Sequence, residues 1–246
     1  FKPGNTLRWL SAGLLIVAAS HGRANLLANG GFELTGGRVQ VHTNVPADPD
    51  TVGLWKFDEG AGASTADGSV HGNHGTIVGA TWTNDSASGH ALWFDADDQV
   101  STGDATKTEH EFSGLSFSLE AWFRADPAWP NWASIITKYN GFHLRKYSTT
   151  HRLNFTTYGI DGGGTFTVNL LSDANMNDAR WHHVLAVYDM AAQKKYLFID
   201  GVNSVSPETV TGTLTPTPTR VTQIGRADNG QYFKGTLDEI KISAVA

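Results

Sequence analysis

The sequence has no cysteine among its 246 residues, which excludes disulfide frameworks, thiolate zinc sites and cysteine nucleophiles. It also has no basic excess, because 18 Lys and Arg residues stand against 24 Asp and Glu residues. Proteins that follow nucleic-acid phosphates usually carry such an excess, so we expect no nucleic-acid partner. Charged residues make up 17%, below the roughly 25% of an average domain, whereas aromatic residues reach 11%. This aromatic content argues against disorder and predicts a sizeable core.

Helical periodicity is also missing, because no stretch after residue 24 repeats its apolar residues every 3.6 positions. Alternation with period two recurs instead, most clearly in residues 116–125, where Phe117, Leu119, Ala121 and Phe123 share one face. Further strands are predicted over residues 39–42, 54–57, 76–80, 91–94, 134–138, 142–146, 152–158, 165–171, 181–189, 194–200, 220–225 and 239–243. Short strands separated by Gly- and Asp-rich turns predict an all-β fold, a two-sheet antiparallel β-sandwich.

Four local features refine this prediction. Residues 181–189 and 194–200 are more continuously apolar, which predicts strands packed on both faces. The pair Asp200-Gly201, between β-branched residues, predicts a tight hairpin turn. We expect Trp122 and Trp181 to be buried in the core. Residues 211–219 are predicted to form a surface loop.

The N-terminal 24 residues differ from the rest. Lys2 and Arg8 precede an apolar stretch over residues 9–19, which is followed by the small residues Gly22 and Ala24. This order is typical of a secretory signal peptide, and the stretch is too short for the roughly 20 residues that span a bilayer. We therefore predict a secreted protein without an integral membrane span. A buried core helix and a membrane-retained, pilin-like N-terminus are the alternatives.

After this segment we expect a leader over residues 25–50 and a single domain over residues 51–246. The domain resembles the laminin-G-like, concanavalin A-like jelly rolls in several motifs that follow the order of that family. These motifs are GLWKFDEGAG (53–62), DGSVHGNHG (67–75), ALWFDADDQV (91–100), residues 117–123, WHHVLAVYD (181–189), YLFIDGV (196–202) and GTLDEIKI (235–242). The resemblance implies two stacked antiparallel sheets, frequent calcium, and binding of glycans or proteins.

Oxygen ligands for calcium are well supplied. Asp58 and Asp67 flank the first loop of the domain, and in a jelly roll the first and last strands come close, which would add Asp238. We predict a structural Ca²⁺ bound by these three residues. An EF-hand is excluded because its twelfth position is Val78. A rival acidic cluster, which turn formation alone could explain, consists of Asp95, Asp97, Asp98 and Asp104.

Histidine pairs offer little for zinc. His182 and His183 are adjacent on a predicted strand, so they point to opposite faces and cannot easily share an ion. His71 and His74 lie in a glycine-rich loop without further nitrogen or sulfur ligands. We expect structural roles for His182 and His183 and an incidental pairing of His71 and His74.

Catalysis is not expected. Glycoside hydrolysis needs two carboxylates about 5–9 Å apart, whereas the middle strand offers only Glu120, which we expect to form an ion pair or to face solvent. Hydrolase or lyase chemistry at Glu120 remains the enzymatic alternative.

Ligand binding is the favoured function. The proline-stiffened loop 126–132 carries Trp129 and Trp132, whose rings could stack on sugars, and Tyr232 is a second candidate. We predict a secreted, non-catalytic module that binds carbohydrate or an extracellular protein partner. The structural alternative is a subunit of a surface fibre that self-assembles into a filament.

Overall fold

Two antiparallel β-sheets stack on each other to form the main body of the protein, as the alternating sequence predicts. The computed structural model describes residues 31–35, 38–42, 48–103, 108–158, 166–210, 214, 220–227 and 229–246. Regular structure in these residues is entirely β, so they contain no helix of the length and hydropathy needed to cross a membrane.

The strands of the described residues are numbered in chain order. They are β1 (Gly31–Thr35), β2 (Arg38–His42), β3 (Thr51–Trp55), β4 (Ser64–Thr65), β5 (Gly75–Val78), β6 (Thr81–Thr83), β7 (Ala91–Asp95), β8 (Gln99–Thr102), β9 (Phe117–Ala125), β10 (Ser134–Lys138), β11 (Phe142–Lys146), β12 (Arg152–Tyr158), β13 (Phe166–Asn175), β14 (His182–Asp189), β15 (Lys194–Ile199), β16 (Val202–Asn203), β17 (Glu208–Thr209), β18 (Thr222–Ile224) and β19 (Lys234–Ser243).

The order of strands differs between the two sheets. The eight-stranded sheet runs β13-β12-β11-β10-β18-β8-β5-β4. The nine-stranded sheet runs β16-β15-β14-β9-β19-β7-β6, with β3 also paired to β19 and β17 to β15. β1 and β2 pair with each other in a separate hairpin, and β2 confirms the strand predicted over residues 39–42.

The last strand, β19, joins the two halves of the nine-stranded sheet. One edge of β19 pairs with β9, whereas its other edge pairs first with β7 through residues 234–237 and then with β3 through residues 240–243. At this changeover the register against β9 shifts just after Asp238, and Glu239 has a φ of 49°. A bulge of this kind bends a strand and redirects its side chains. The first and last strands of the domain are thereby paired, as the sequence analysis expects.

The core consists of alternate residues from the two inner sheet faces. Phe117, Leu119, Ala121 and Phe123 of β9 are buried together, which confirms the predicted alternation. The eight-stranded sheet supplies Ile136, Phe142, Leu144, Leu153, Phe155 and Ile224. The Phe117 ring joins the layers, with its centroid 5.4 Å from that of Phe142 and 6.0 Å from that of Phe155. Burying one such side chain stabilises the fold by about 1.5–3 kcal/mol.

The turn between β15 and β16 confirms the predicted hairpin. Asp200 and Gly201 have φ values of 50° and 74°, and Ile199 pairs with Val202 across the turn. Positive φ at both central residues matches the twist of the flanking strands, and Asp-Gly adopts this conformation readily.

The prediction that strands over residues 181–189 and 194–200 are packed on both faces is wrong. In β14 and β15, buried Ala186 and Leu197 alternate with the partly exposed Leu185, Tyr196 and Phe198, although Val187 is also buried on the outer face of β14. The apolar residues of the outer face hide the alternation in the sequence. These strands therefore cover the core on one face and present apolar side chains on the other.

The expected burial of Trp122 is also wrong, because the residue lies on the outer face of β9 and is 36% exposed. Trp181 is half-buried, with its indole Nε1 donating a hydrogen bond to Asp85 at 3.2 Å. The signal-like residues 1–24 and most of the loop 211–219 lie outside the described residues.

Candidate functional site

The loop between β9 and β10 carries two of the aromatic residues predicted to bind ligand. Asp126 orders the start of this loop, because its carboxylate accepts a hydrogen bond from the amide of Ala128 at 2.8 Å and its carbonyl accepts one from the amide of Trp129 at 2.9 Å. The ammonium group of Lys234 lies 3.7 Å from the same carboxylate. An ordered loop loses little conformational entropy when a ligand binds.

The prediction that Trp129 binds ligand is wrong, because the residue is only 2% exposed. Its indole Nε1 donates a hydrogen bond to Nδ1 of His151 at 3.0 Å, and its ring packs edge-on against Phe233. The carbonyl of Trp129 accepts a hydrogen bond from Lys146 Nζ at 2.9 Å. Trp129 is therefore part of the core beneath the loop.

Trp132, three residues later, is only half-buried. The guanidinium of Arg145 lies 4.7 Å from its ring centroid, and the Tyr147 ring packs edge-on at 5.1 Å. Trp132 has a φ of 62°, which is unfavourable for a bulky side chain. Such strain persists only where the surroundings enforce it, and it is common at functional sites. Trp132 is therefore a stronger candidate than the sequence alone made it.

Arg145 connects Trp132 to a second loop. The residue is 8% exposed, and it donates hydrogen bonds to Oδ1 of Asn154 at 3.4 Å and to Oε1 of Gln231 at 3.3 Å. Burial lowers the pKa of Arg145 to about 10, which leaves the side chain protonated at neutral pH. The guanidinium therefore holds the loop of Gln231 beside the Trp132 ring.

Tyr232, the third predicted ligand residue, follows Gln231 directly and is half-buried. The guanidinium of Arg226 lies 5.2 Å from its ring centroid and donates a hydrogen bond to Oε1 of Gln99 at 2.7 Å. Tyr232 thus adjoins the cluster around Trp132 through its chain neighbour Gln231, whereas its own ring packs against Arg226. We call this cluster the aromatic rim, defined as Trp132, Arg145, Tyr147, Gln231 and Tyr232.

Three members of the aromatic rim were not predicted. Arg145 could have been found, because alternation in β11 places it on the face opposite Phe142 and Leu144. Tyr147 and Gln231 lie in loops, where no periodic signal indicates which side chains meet.

The centre of the same sheet face is polar but covered. His143 is 3% exposed, and Asn154 and Thr156 are fully buried. Asn154 Nδ2 donates a hydrogen bond to Asn169 Oδ1 at 3.1 Å. Burial lowers the pKa of His143 well below its usual value, which favours a neutral imidazole. The centre of this face is therefore closed to ligands, whereas the aromatic rim is partly exposed.

Asp67, one of the three predicted calcium ligands, is used by its own loop. One carboxylate oxygen accepts hydrogen bonds from the amides of Leu54 and Ser69, and the other accepts them from the Ser69 hydroxyl and the Asn73 amide, all at 2.7–2.9 Å. These four bonds stabilise the turn that follows β4. The structure thus gives Asp67 a local role, and we remove it from the calcium set.

Asp58 and Asp238, the other two predicted ligands, lie beside the loop of residues 84–90 that joins β6 to β7. Asp58 Oδ1 accepts a hydrogen bond from the amide of His90 at 3.2 Å. Asp238 Oδ2 accepts hydrogen bonds from the amides of Ala87 and Ser88 at 2.8 and 2.9 Å. We call Asp58, Asp238 and this loop the acidic notch.

The acidic notch has two features of a cation site. Oδ1 of Asp238 is buried and has no hydrogen-bond partner among the described residues. Burial raises the pKa of Asp238 to about 7, and the negative charge of Asp58 adds to the shift. A divalent cation would satisfy the unpartnered oxygen and would neutralise the repulsion between the two carboxylates. Asp58 and Asp238 therefore fit Ca²⁺.

The rival acidic cluster is a turn between β7 and β8. Asp95, Asp97 and Asp98 each place a carboxylate oxygen within 4.8 Å of the others. Asp98 Oδ2 accepts a hydrogen bond from the Asp95 amide at 2.8 Å, and burial raises the pKa of Asp98 to about 6. Asp104, the fourth predicted member, lies outside the described residues. Hydrogen bonding within the turn accounts for this cluster without an ion.

His71 and His74 contact different partners. His71 Nδ1 lies 3.5 Å from a carboxylate oxygen of Glu109, whereas His74 Nδ1 accepts a hydrogen bond from the Asp67 amide at 3.0 Å. These contacts account for both side chains without zinc.

His182 and His183 lie on opposite sides of β14, as predicted. His183 packs against Trp122 on the outer face, with ring centroids 5.2 Å apart. His182 Nδ1 lies 2.8 Å from Asp200 and its Nε2 lies 3.0 Å from Asp178. The hydrogen bond to Asp200 is the main cause that raises the pKa of His182. We call His182, Asp178 and Asp200 the histidine clamp.

Glu120 forms ion pairs, as the sequence analysis expects. Its carboxylate oxygens lie 3.9 Å from Lys241 Nζ and 3.7 Å from His183 Nε2. These two contacts match the ion-pair role expected of Glu120.

Comparison with known sequences supports the same fold. A family model described as the concanavalin A-like lectin/glucanases superfamily matches residues 94–246, more than half of the chain. A search of the curated proteins gives no significant match.

Solved structures with this fold include binding domains and an enzyme. The binding domain of a paraclostridial mosquitocidal protein is 11% identical with a TM-score of 0.62, and the match covers 80% of this chain and 49% of that one. Domain 4 of the Geobacillus stearothermophilus arabinanase AbnA, in complex with arabinotriose, is 14% identical with a TM-score of 0.60, covering 80% and 93%. Trypanosoma rangeli sialidase is 13% identical with a TM-score of 0.55, covering 81% and 32%. This chain thus spans about half of the mosquitocidal domain and nearly all of the arabinanase domain. At these identities the likeness establishes the fold alone.

Proposed function

Since the chain belongs to the concanavalin A-like lectin/glucanases superfamily, we propose that it is a non-catalytic module that binds carbohydrate through the aromatic rim. Membership confirms the family resemblance of the sequence. The observation that carries the proposal is the partly exposed ring of Trp132, which contacts Arg145 and Tyr147 and belongs to a residue with a φ of 62°. An extracellular protein partner at the same rim is the alternative ligand.

The chemistry of the aromatic rim suits a sugar. Aromatic rings offer an apolar surface for the carbon–hydrogen face of a sugar ring, and Gln231 and Arg145 are polar groups next to them for its hydroxyls. Hydrogen bonds and ring contacts restrain these side chains before a ligand arrives, which limits the entropy lost on binding. Arabinotriose in the arabinanase domain makes a neutral oligosaccharide a sensible first probe.

Binding should be tested with the full chain on a glycan array and by calorimetry with arabinotriose. We expect at least one glycan to bind. We expect Trp132→Ala to lower the affinity for that glycan by about tenfold or more, as truncation of an anchoring ring does. Tyr232→Ala should weaken it less. Leu115→Ala, at an exposed apolar residue outside the rim, is the matched control and should leave the affinity unchanged. Failure of the wild type to bind any glycan, or full affinity in Trp132→Ala, would contradict the proposal.

The absence of catalysis is part of the same proposal, because Glu120 is held in ion pairs by Lys241 and His183. If the wild type hydrolyses a bound glycan and Glu120→Gln abolishes this turnover, the enzymatic alternative is correct. No turnover in either protein supports a binding module.

We also propose that the acidic notch binds a structural Ca²⁺ through Asp58 and Asp238. The ion would provide the unpartnered Asp238 oxygen with a ligand and would brace the loop of residues 84–90. A melting scan with and without chelator tests this, because an ion bound only by the folded state raises the midpoint. The chelator should lower the wild-type midpoint and leave Asp238→Asn unaffected.

Asp97→Asn in the rival acidic turn is the matched control, and it should remain as sensitive to chelator as the wild type. Sensitivity that disappears in Asp97→Asn and persists in Asp238→Asn would move the ion to the other cluster. No chelator effect on the wild type would remove the ion altogether.

Secretion remains a proposal that rests on the order of residues 1–24. Expression of the gene with its own N-terminus, followed by mass spectrometry of the exported protein, tests it. We expect a mature chain that begins near Asn25. An exported or assembled protein that retains Phe1 would favour the fibre-subunit alternative.

A further inference from the structure

The outer face of the nine-stranded sheet presents a tryptophan at its middle. Trp122 is 36% exposed and projects from β9, which β14 and β19 flank on both sides. His183 is its cross-strand neighbour on β14, and their ring centroids are 5.2 Å apart. Since paired strands hold the backbone on both sides, a ligand that stacks on this ring meets an ordered surface.

Polar groups form the next row on this face. Glu120 pairs in register with Lys241 of β19, and its carboxylate lies 3.9 Å from the Lys241 ammonium and 3.7 Å from His183 Nε2. Both distances exceed hydrogen-bond length, so these groups attract each other without a direct hydrogen bond. Lys241 is only 3% exposed, so hydroxyl groups of a ligand could reach only the partly exposed Glu120 and His183.

We propose that this outer face is a second carbohydrate-binding site, in which a neutral oligosaccharide stacks one ring on Trp122 and hydrogen-bonds to the partly exposed Glu120 and His183 beside it. Glu120 and Lys241 carry opposite charges next to each other, so no single sign of charge favours a polyanion. The site involves no residue of the aromatic rim and takes only its ligand class from the proposed function.

Four forms of the full chain test this proposal on a glycan array: the wild type, Trp132→Ala, Trp122→Ala and the double variant. We expect Trp132→Ala still to bind at least one glycan of the array. We expect the double variant to bind that glycan with an affinity lower by about tenfold or more. Trp122→Phe, which keeps an aromatic face, should restore part of the affinity. Glu120→Gln keeps the side-chain size and should lower the affinity for the same glycan. This variant provides a second test of the site in case Trp122→Ala fails to fold.

The outcomes separate the two sites. Loss of all binding in Trp132→Ala alone would overturn the second site and would leave the aromatic rim intact as a proposal. Unchanged binding in the double variant, relative to Trp132→Ala, would overturn it as well. A wild type that binds no glycan would overturn both sites together.

Discussion

The two outer sheet faces differ in how they use aromatic and polar side chains. On the eight-stranded sheet, polar residues such as Asn154 and Thr156 are fully buried, and the exposed rings lie at the loop end. On the nine-stranded sheet, Trp122 is exposed on a central strand. An outer face of a sandwich is therefore not simply a solvated face, and its polarity does not reveal its exposure.

Trp129→Ala should have the largest effect on stability of the variants considered. Trp129 and Trp132 belong to one loop at the end of the eight-stranded sheet, but they differ in burial. Removal of the buried ring leaves a cavity, so we expect a loss of about 3–5 kcal/mol in the free energy of unfolding. Trp132→Ala should cost much less, since its ring is partly exposed. Urea denaturation of both variants measures the difference. Equal losses would mean that the loop does not separate a core ring from a surface ring.

The covered polar face should be the next most sensitive region. Asn154→Ala removes the hydrogen bonds of Asn154 with Arg145 Nε and with Asn169 Oδ1, and the first of these bonds is buried. We expect a loss of about 2–3 kcal/mol in the free energy of unfolding. Asn169→Ala is the matched control, because it removes one of these bonds from the exposed side and should cost under about 1 kcal/mol. A mild effect of Asn154→Ala would show that solvent reaches this face.

These contrasts also show where the sequence is informative. The strands of the core were predictable because a buried face imposes period two, as in Phe117 to Phe123. Short elements such as β4, β16 and β17 were missed because two residues cannot show a period.

The site was less predictable than the fold. Trp129 and Trp132 have the same proline-rich surroundings, and their burial depends on distant partners such as Phe233 for one and Arg145 for the other. The role of Asp67 had a local signal, because an Asp two residues before a Ser often caps its own turn. The unpartnered oxygen of Asp238 lies next to the bulge in β19, and no local pattern indicated that bulge.

The histidine clamp offers a pH test on the nine-stranded sheet. The pKa of His182 is raised above 6.5, mainly by its hydrogen bond to Asp200, so the contribution of the clamp is complete below pH 6.5 and is lost as the pH rises through the raised pKa. The pKa values of Asp178 and Asp200 are lowered from 3.8, so their contribution is present above pH 3.8 and is lost as the pH falls through the lowered values.

His182→Gln should therefore cost about 1–2 kcal/mol near pH 6, because charge-assisted bonds to partly exposed carboxylates are lost. The difference from the wild type should shrink at alkaline pH. Urea denaturation at a series of pH values, with the imidazole titration followed by NMR, measures both effects. A difference that grows with rising pH would contradict a protonated clamp.

Trp122→Thr should have the smallest effect, because Thr keeps a high strand propensity and the outer face of β9 does not contribute to the core. We expect a loss of about 1 kcal/mol or less in urea denaturation. A loss as large as that of Trp129→Ala would mean that Trp122 is covered in solution, and the contrast between the two outer faces would disappear. A small loss combined with weaker glycan binding would instead show that this ring serves recognition more than stability.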